Sequence, residues 1–143
     1  MVDKVFMRKI YRSNTLSLKS IRSDIKSFLS TNQVDDVDSG YIIIAVNEAC
    51  MNIIQHANDG KYGGDIIVNV TLLDDKLLVK ITDQADTVDA NKLKGRDITN
   101  IEPGGLGIYL IKDIMDMVDY DSVGNNQGNC ITMTKKIGFH DEI

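Results

Sequence analysis

The sequence lacks the features that mark several common classes of protein. Its only two cysteines, Cys50 and Cys130, lie far apart and follow no metal-ligand spacing. No apolar run is long enough to span a membrane, and the N-terminal residues carry scattered charges instead of the apolar block of a signal peptide. We therefore expect a cytoplasmic protein without a membrane partner, in which both cysteines are small buried side chains.

The chain is also poor in positive charge. Its 16 lysines and arginines against 21 aspartates and glutamates give a formal net charge of -5, which argues against direct binding to nucleic acid. The absence of GxxxxGK[ST] excludes a P-loop NTPase, and the absence of GxGxxG after a first strand argues against a dinucleotide-binding fold. Neither a Ser–His–Asp set nor a Cys–His pair indicates nucleophilic catalysis.

The length of 143 residues, 43% of them hydrophobic, suits one domain with its own core, and we expect residues 1–143 to form it. Hydrophobic periodicity predicts the elements in order: strand 2–12, helix 16–30, helix 37–57, strands 65–73 and 76–83, helix 108–118 and strand 129–137. This order favours an α+β sandwich, with helices on one face of a mostly antiparallel sheet. Residues 84–103 have weak periodicity, which is typical of a functional, lid-like loop.

The residues predicted to form the core are apolar and recur at helix or strand spacing. They are Ile21, Ile25, Phe28, Val46, Ala49, Ile53, Val68, Val70, Val79, Ile81, Ile108, Ile111 and Met115.

The second predicted helix carries Glu48, Asn52 and His56 at intervals of four residues, so the three form one ridge. Such a ridge is also typical of the solvated face of an amphipathic helix. Two features favour a functional interpretation: the helix has few other polar residues, and asparagine has poor helix propensity. An asparagine carbonyl oxygen suits a hard cation such as Mg2+, and a carboxylate one turn away can accept a proton from a hydroxyl group. We expect His56 to pack near the helix end without a chemical role.

Two further features occupy the ends of predicted elements. Asp83 ends the strand 76–83, where its carboxylate could accept a hydrogen bond from an exocyclic amine, although aspartate also commonly begins turns. Gly104, Gly105 and Gly107 stand where a loop becomes a helix, so the backbone can approach a ligand and the helix N-terminus favours an anion. A glycine cluster also suits a simple hinge.

Taken together, the ExxxN pair, the strand-end aspartate, the long loop and GGLG resemble the ordered motifs of the Bergerat-type (GHKL) ATPases over nearly the whole chain. Within that superfamily, the sequence most resembles the RsbW-type anti-sigma-factor serine kinases. VNEACMNIIQHA is similar to their N box, and PGGLGIYLIKDIMDMVDYD is similar to their glycine box and following helix.

The resemblance implies the Bergerat ATPase fold, with ATP and Mg2+ as cofactors. Asn52 would ligate Mg2+ at the ATP phosphates, and Glu48 would be the general base for a substrate serine. Asp83 would accept a hydrogen bond from the adenine amino group. The implied phosphate cradle is Gly104, Gly105, Leu106 and Gly107. The implied partners are a STAS-domain anti-sigma-factor antagonist that carries the serine, and a sigma factor held by a homodimer of the kinase.

Two positions depart from the family pattern. The family usually has DxG where this chain has Asp83-Gln84-Ala85, and an alanine that must adopt φ > 0 costs about 1 kcal/mol, which would weaken adenine binding. Gly128-Asn129 stands in place of glycine–threonine, and we expect Asn129 to replace the threonine hydroxyl as the hydrogen-bonding group at the adenine.

Three functions remain open from the sequence. The first is an ATP-dependent serine-protein kinase that also sequesters a sigma factor. The second is a binding module of the same fold that transfers no phosphate, with or without bound nucleotide. The third, a fragment of a two-component histidine kinase, is disfavoured because no helical dimerisation segment with a phospho-acceptor histidine precedes the first predicted strand.

Overall fold

The computed structural model describes residues 4–58, 64–83, 105–122 and 129–140. Within these ranges it contains three helices and five strands. In chain order they are β1 (Lys4–Arg12), α1 (Ser17–Thr31), α2 (Asp36–Asn58), β2 (Asp65–Leu73), β3 (Lys76–Asp83), α3 (Gly105–Ile114), β4 (Met117–Ser122) and β5 (Asn129–Lys136). The predicted loop 84–103 lies outside the described residues.

The five strands form one sheet in the order β1-β2-β3-β5-β4, and every neighbouring pair is antiparallel. The predicted hairpin between β2 and β3 is confirmed, with Leu73 opposite Lys76 across the turn. Asp74 in this turn has φ 56°, a left-handed conformation that aspartate adopts more readily than most residues.

The core lies between one face of the sheet and the three helices, so the α+β arrangement is confirmed. Strand β3 illustrates how the pleat divides the two faces: Leu77, Val79 and Ile81 are fully buried, whereas the residues between them are more exposed. On the opposite face, Phe6 is 70% exposed and Ile10 is 54% exposed.

The predicted core is confirmed wherever the structure describes the side chain, apart from Phe28. Phe28 is half-buried and packs against the edge of the core. The side chain of Ile108 lies outside the described residues. The buried predicted residues are Ile21, Ile25, Val46, Ala49, Ile53, Val68, Val70, Val79, Ile81, Ile111 and Met115.

The prediction of a helix over 108–118 is wrong at its C-terminal end. Helix α3 ends at Ile114, and Met117–Ser122 forms β4, a strand absent from the predicted order. The apolar residues up to Val118 have helical spacing, yet Met117–Tyr120 also alternates between exposed and half-buried positions. Pairing with β5 decides between the two periods, because it satisfies the backbone groups of this segment along the edge of the sheet.

The start of α2 is held by an N-cap residue and by the segment that follows β5. Oδ2 of Asp35 accepts hydrogen bonds from the backbone N–H groups of Val37 and Asp38, both at 3.1 Å, as an N-cap residue does. The segment after β5 adds two bonds: Gly138 N donates to Asp38 Oδ2 at 2.8 Å, and Asp35 N donates to Gly138 O at 2.9 Å.

The apolar composition of α2 has an explanation in the core. By length and composition alone, the 20 residues Asp36–Gln55, with mean hydropathy 1.2, would be apolar enough to cross a membrane. Within the domain, however, Ile42, Val46 and Ile53 of this helix are at most 5% exposed and belong to the core. Burial therefore accounts for part of this composition, whereas Val37, Tyr41 and Ile44 of the same helix are apolar and exposed.

We expect Asp35→Ala to lower the free energy of unfolding by about 1 kcal/mol, because it removes the acceptor for two orphan N–H groups of α2. Asp35→Asn is the matched control, since asparagine caps a helix about as well as aspartate does. Urea denaturation of the three proteins measures the difference. Equal losses in both variants would show that the charge of Asp35, and not its capping bond, stabilises this end of the helix.

Candidate active site

Helix α2 places Glu48 and Asn52 one turn apart on the same side. Both side chains are half-buried, whereas the neighbouring Ala49 and Ile53 are at most 5% exposed. The two polar groups therefore emerge at the border between the core and the surface, on a helix that packs against α1, α3 and β3. The predicted ridge is confirmed as a geometric feature for these two residues; the side chain of His56 lies outside the described residues.

A hydrogen bond beside Glu48 fixes α2 relative to α1. Nη1 of Arg22 on α1 donates to Oδ1 of Asn47 at 2.9 Å, and the amide group of Asn47 also contacts the sulfur of Met51 at 3.4 Å. These contacts lie on the surface immediately next to Glu48. They join α2 to α1 at the residue that precedes Glu48.

Asp83 is buried at the end of β3, where it is 3% exposed. It continues the alternation of Leu77, Val79 and Ile81, so its carboxylate lies on the core side of the sheet, the side on which α2 packs. In the register of the sheet, Asp83 stands opposite Asn129 on β5. The structure therefore places Asp83, Glu48 and Asn52 on the same side of the sheet.

The glycine-rich segment forms the start of α3. Gly105, Leu106 and Gly107 are the first three residues of this helix, which packs against α2. The first N–H groups of a helix have no partner within it, and together with the helix dipole they favour an anion. Gly104 lies outside the described residues, as do the side chains of Leu106 and Asn129; for Asn129 only the strand backbone is described.

A residue that sequence reasoning missed lies on the same face of the sheet as Asp83, two strands away. Tyr120 on β4 is half-buried and packs against the core. Burial raises its pKa above the ordinary value of tyrosine, and the negative charge of Asp83 raises that pKa further. The alternation of the sequence MVDYDS would have placed Tyr120 on the core side if the segment had been predicted as a strand.

The donor set fits a magnesium ion that is held mainly by phosphate. Among the residues that the structure describes, no three His, Cys, Asp or Glu side chains converge into a metal site. Mg2+ commonly takes one or two protein ligands and completes its octahedron with water and substrate phosphates. A single amide oxygen, that of the half-buried Asn52, is compatible with this mode of binding.

Both cysteines are free and buried, as expected from the sequence. Cys50 is 0% exposed and Cys130 is 6% exposed. Burial raises the pKa of the Cys50 thiol to about 12, so the group stays neutral at physiological pH and is not a nucleophile. Cys50 therefore serves as a packing residue of α2.

Comparison with known proteins identifies the class to which this arrangement belongs. Residues 12–135 match the family of the histidine kinase-like ATPase domain. This match covers most of the chain, including α2, β3, α3 and β5. The chain therefore belongs to the histidine kinase-like ATPase family.

Within that family, the chain is similar to the serine-protein kinases named RsbW. It is 33% identical to RsbW of Bacillus velezensis over 109 residues, which cover 71% of this chain and 65% of that protein. It is also 33% identical to RsbW of Listeria monocytogenes over 132 residues, which cover 85% of this chain and 76% of that protein. The alignments thus span 65% or less of the length of the Bacillus relatives.

A solved structure supports the fold independently of the sequence. The RsbU and RsbW domains of Rv1364c from Mycobacterium tuberculosis superpose with a TM-score of 0.66 at 16% identity, covering 93% of this chain and 32% of that one. At this level of identity the similarity shows the fold alone. It confirms the expected sandwich of helices on an antiparallel sheet.

We expect the candidate site and the stability of the domain to be separable. Glu48→Gln and Asn52→Ala should each change the free energy of unfolding by less than about 1 kcal/mol, because both side chains are half-buried and alanine is the better helix former. Ile53→Ala, one position away but inside the core, should lose about 2–5 kcal/mol. Chemical denaturation checks this. A loss in either polar variant as large as that in Ile53→Ala would assign the residue a structural role.

Proposed function

We propose that the chain is an ATP-dependent serine-protein kinase and anti-sigma factor. In this proposal it phosphorylates a serine of a STAS-domain anti-sigma-factor antagonist and sequesters a sigma factor. The observation that carries the proposal is the position of Glu48 and Asn52: one turn apart and half-buried, directly beside the core residues Ala49 and Ile53 of the same helix. The relatives named serine-protein kinase support it.

The proposed mechanism uses the residues of α2 for phosphoryl transfer. Glu48 accepts the proton of the substrate serine hydroxyl while the serine oxygen bonds to the γ-phosphorus of ATP and the bond to the ADP oxygen breaks. Asn52 supplies the protein ligand for Mg2+, whose charge neutralises the phosphate oxygens when the ion is bound. Glu48 then returns its proton to solvent, so the enzyme is regenerated.

The remaining predicted residues bind the nucleotide. Asp83 accepts a hydrogen bond from the adenine amino group, and Asn129 donates or accepts one beside it. The phosphates lie at the N-terminus of α3, where Gly104, Gly105, Leu106 and Gly107 allow the backbone to approach closely. In this arrangement the adenine lies at the sheet and the phosphates lie between α2 and α3, which pack against each other.

We further propose that the kinase is cytoplasmic, acts as a homodimer formed from one domain per chain, and binds no nucleic acid directly. The net charge of -5 suits basic surfaces on a sigma factor and disfavours a nucleic-acid backbone. The single-domain proposal rests on the continuous sheet and core, and on the family match over residues 12–135.

A second candidate function is a partner-binding module that transfers no phosphate. The observation that favours it is the pair of departures from the family pattern, Ala85 and Asn129, both of which fall at the adenine end of the site. In that case nucleotide binding would be weak or lost, and the fold would hold its partner by surface contacts alone.

Isothermal titration with ATP tests the nucleotide site. We expect binding to the wild type that requires Mg2+, and at least about tenfold weaker binding to Asn52→Ala, because the variant loses the protein ligand of the ion. Asn69→Ala is the matched control and should bind as the wild type does, because Asn69 alternates with the buried Val68 and Val70 of β2 and so lies on the outer face of the sheet. A folded wild type that binds no ATP would rule out the kinase and favour the second candidate.

Glu48→Gln separates catalysis from binding. We expect this variant to bind Mg2+–ATP as the wild type does and to transfer phosphate about 10²- to 10⁴-fold more slowly, because the amide cannot accept the serine proton. The measurement is the rate of ³²P transfer from labelled ATP to a purified STAS-domain antagonist. An unchanged rate would exclude Glu48 as the general base.

A further inference from the structure

The two edge strands of the sheet each direct a tyrosine to the core side, and the contacts of these tyrosines differ. Tyr11 on β1 donates its hydroxyl hydrogen to Oδ2 of Asp24 at 2.7 Å. Tyr120 on β4 is half-buried, yet its hydroxyl group makes no hydrogen bond to any part of the chain that the structure describes. The hydroxyl of Tyr120 is therefore available to a ligand.

The register of the sheet places Tyr120 close to the adenine end of the proposed site. Tyr120 stands opposite Ile131 on β5, which stands opposite Ile81 on β3, and Asp83 is the next residue of β3 on the same face. The two positions are thus two strand spacings and one pleat apart, about 10 Å across the sheet and about 7 Å along it. Ile131 is itself buried in the core, so a ligand shared by the two side chains would lie towards the Asn129 end of β5, next to Asp83.

The electrostatics of Tyr120 agree with this placement. After burial, the charge of Asp83 is the largest cause of the raised pKa of Tyr120, so the carboxylate and the phenol interact electrostatically across β5. The raised pKa also means that the phenol remains protonated throughout the physiological range. Tyr120 is therefore a hydrogen-bond donor on the same face of the sheet as the acceptor Asp83.

We propose that Tyr120 is a specificity-determining residue for the nucleotide base, whose hydroxyl donates a hydrogen bond to N1 of adenine while Asp83 accepts one from the amino group. The inference rests on the proposed function, in which Asp83 holds that amino group. Adenine presents a donor and an acceptor side by side on this edge, and the pair of Asp83 and Tyr120 is their complement. Guanine presents the opposite order and would lose both bonds.

The contact would offset the two departures from the family pattern. Ala85 and Asn129 replace residues that serve the adenine in related sequences, whereas Tyr120 would add a polar contact from the neighbouring strand. A hydrogen bond that a site is built to make discriminates strongly against a ligand that lacks the matching group.

The test compares ATP with 1-deaza-ATP, in which a carbon replaces N1. We expect the wild type to bind ATP about two- to tenfold more tightly than 1-deaza-ATP, the range for one net hydrogen bond. Tyr120→Phe should bind both nucleotides with the same affinity, because its ring remains and only the hydroxyl is lost. A variant that weakens both nucleotides equally and keeps the wild-type ratio would assign Tyr120 a purely structural role and overturn the proposal.

Tyr11→Phe is the matched control, because it removes a hydroxyl that is already bonded to Asp24 at the other edge of the sheet. It should keep the wild-type ratio of affinities. If Tyr120→Phe does not fold, the wild type alone still tests the inference. Equal affinity of the wild type for ATP and 1-deaza-ATP overturns the inference and leaves the kinase proposal standing. A wild type that binds neither nucleotide overturns both.

Discussion

The burial of α2 at the centre of the domain is the constraint on which the rest of the structure depends. This helix packs against α1, α3 and the central strand β3. Small side chains at Ala45, Ala49 and Cys50, all at most 2% exposed, allow its neighbours to approach closely. Val37, Tyr41 and Ile44 of the same helix face solvent, and Glu48 and Asn52 are half-buried at the border between its exposed and buried faces.

Burial of one face of α2 also fixes the positions of Glu48 and Asn52 relative to the core. The apolar contacts around α2 prevent rotation, the Asp35 cap and the Gly138 contacts fix its start, and the bond from Arg22 to Asn47 restrains its middle. Phosphoryl transfer depends mainly on positioning and on neutralisation of charge, so a rigid helix suits groups that must hold a metal and accept a proton. The same packing that stabilises the fold therefore pre-organises the proposed site.

Local patterns predict most of this architecture, because the elements concerned carry one clear period. Helix α2 is apolar over many turns, and β2 and β3 are β-branched runs separated by two turn-forming aspartates. Strand β4 is different, since its six residues follow a helix and its apolar residues fit both periods. Only the long-range pairing with β5 distinguishes them, and Tyr120 could not be assigned to the site without that strand. Nor does the sequence predict the burial of Asp83, because aspartate is rarely buried.

The two ends of the proposed site differ in how the fold supports them. The phosphate end is built on α2 and α3, which pack against each other beside the core, whereas the base end lies on β3 and β5 and is bordered by the edge strand β4. A substitution at the adenine end of the proposed site can alter affinity for adenine without moving Glu48 and Asn52. The departures from the family pattern, Ala85 and Asn129, follow this division, since Glu48 and Asn52 are retained. If the proposed roles hold, nucleotide affinity and phosphoryl transfer can change independently, because separate elements position the groups proposed for each.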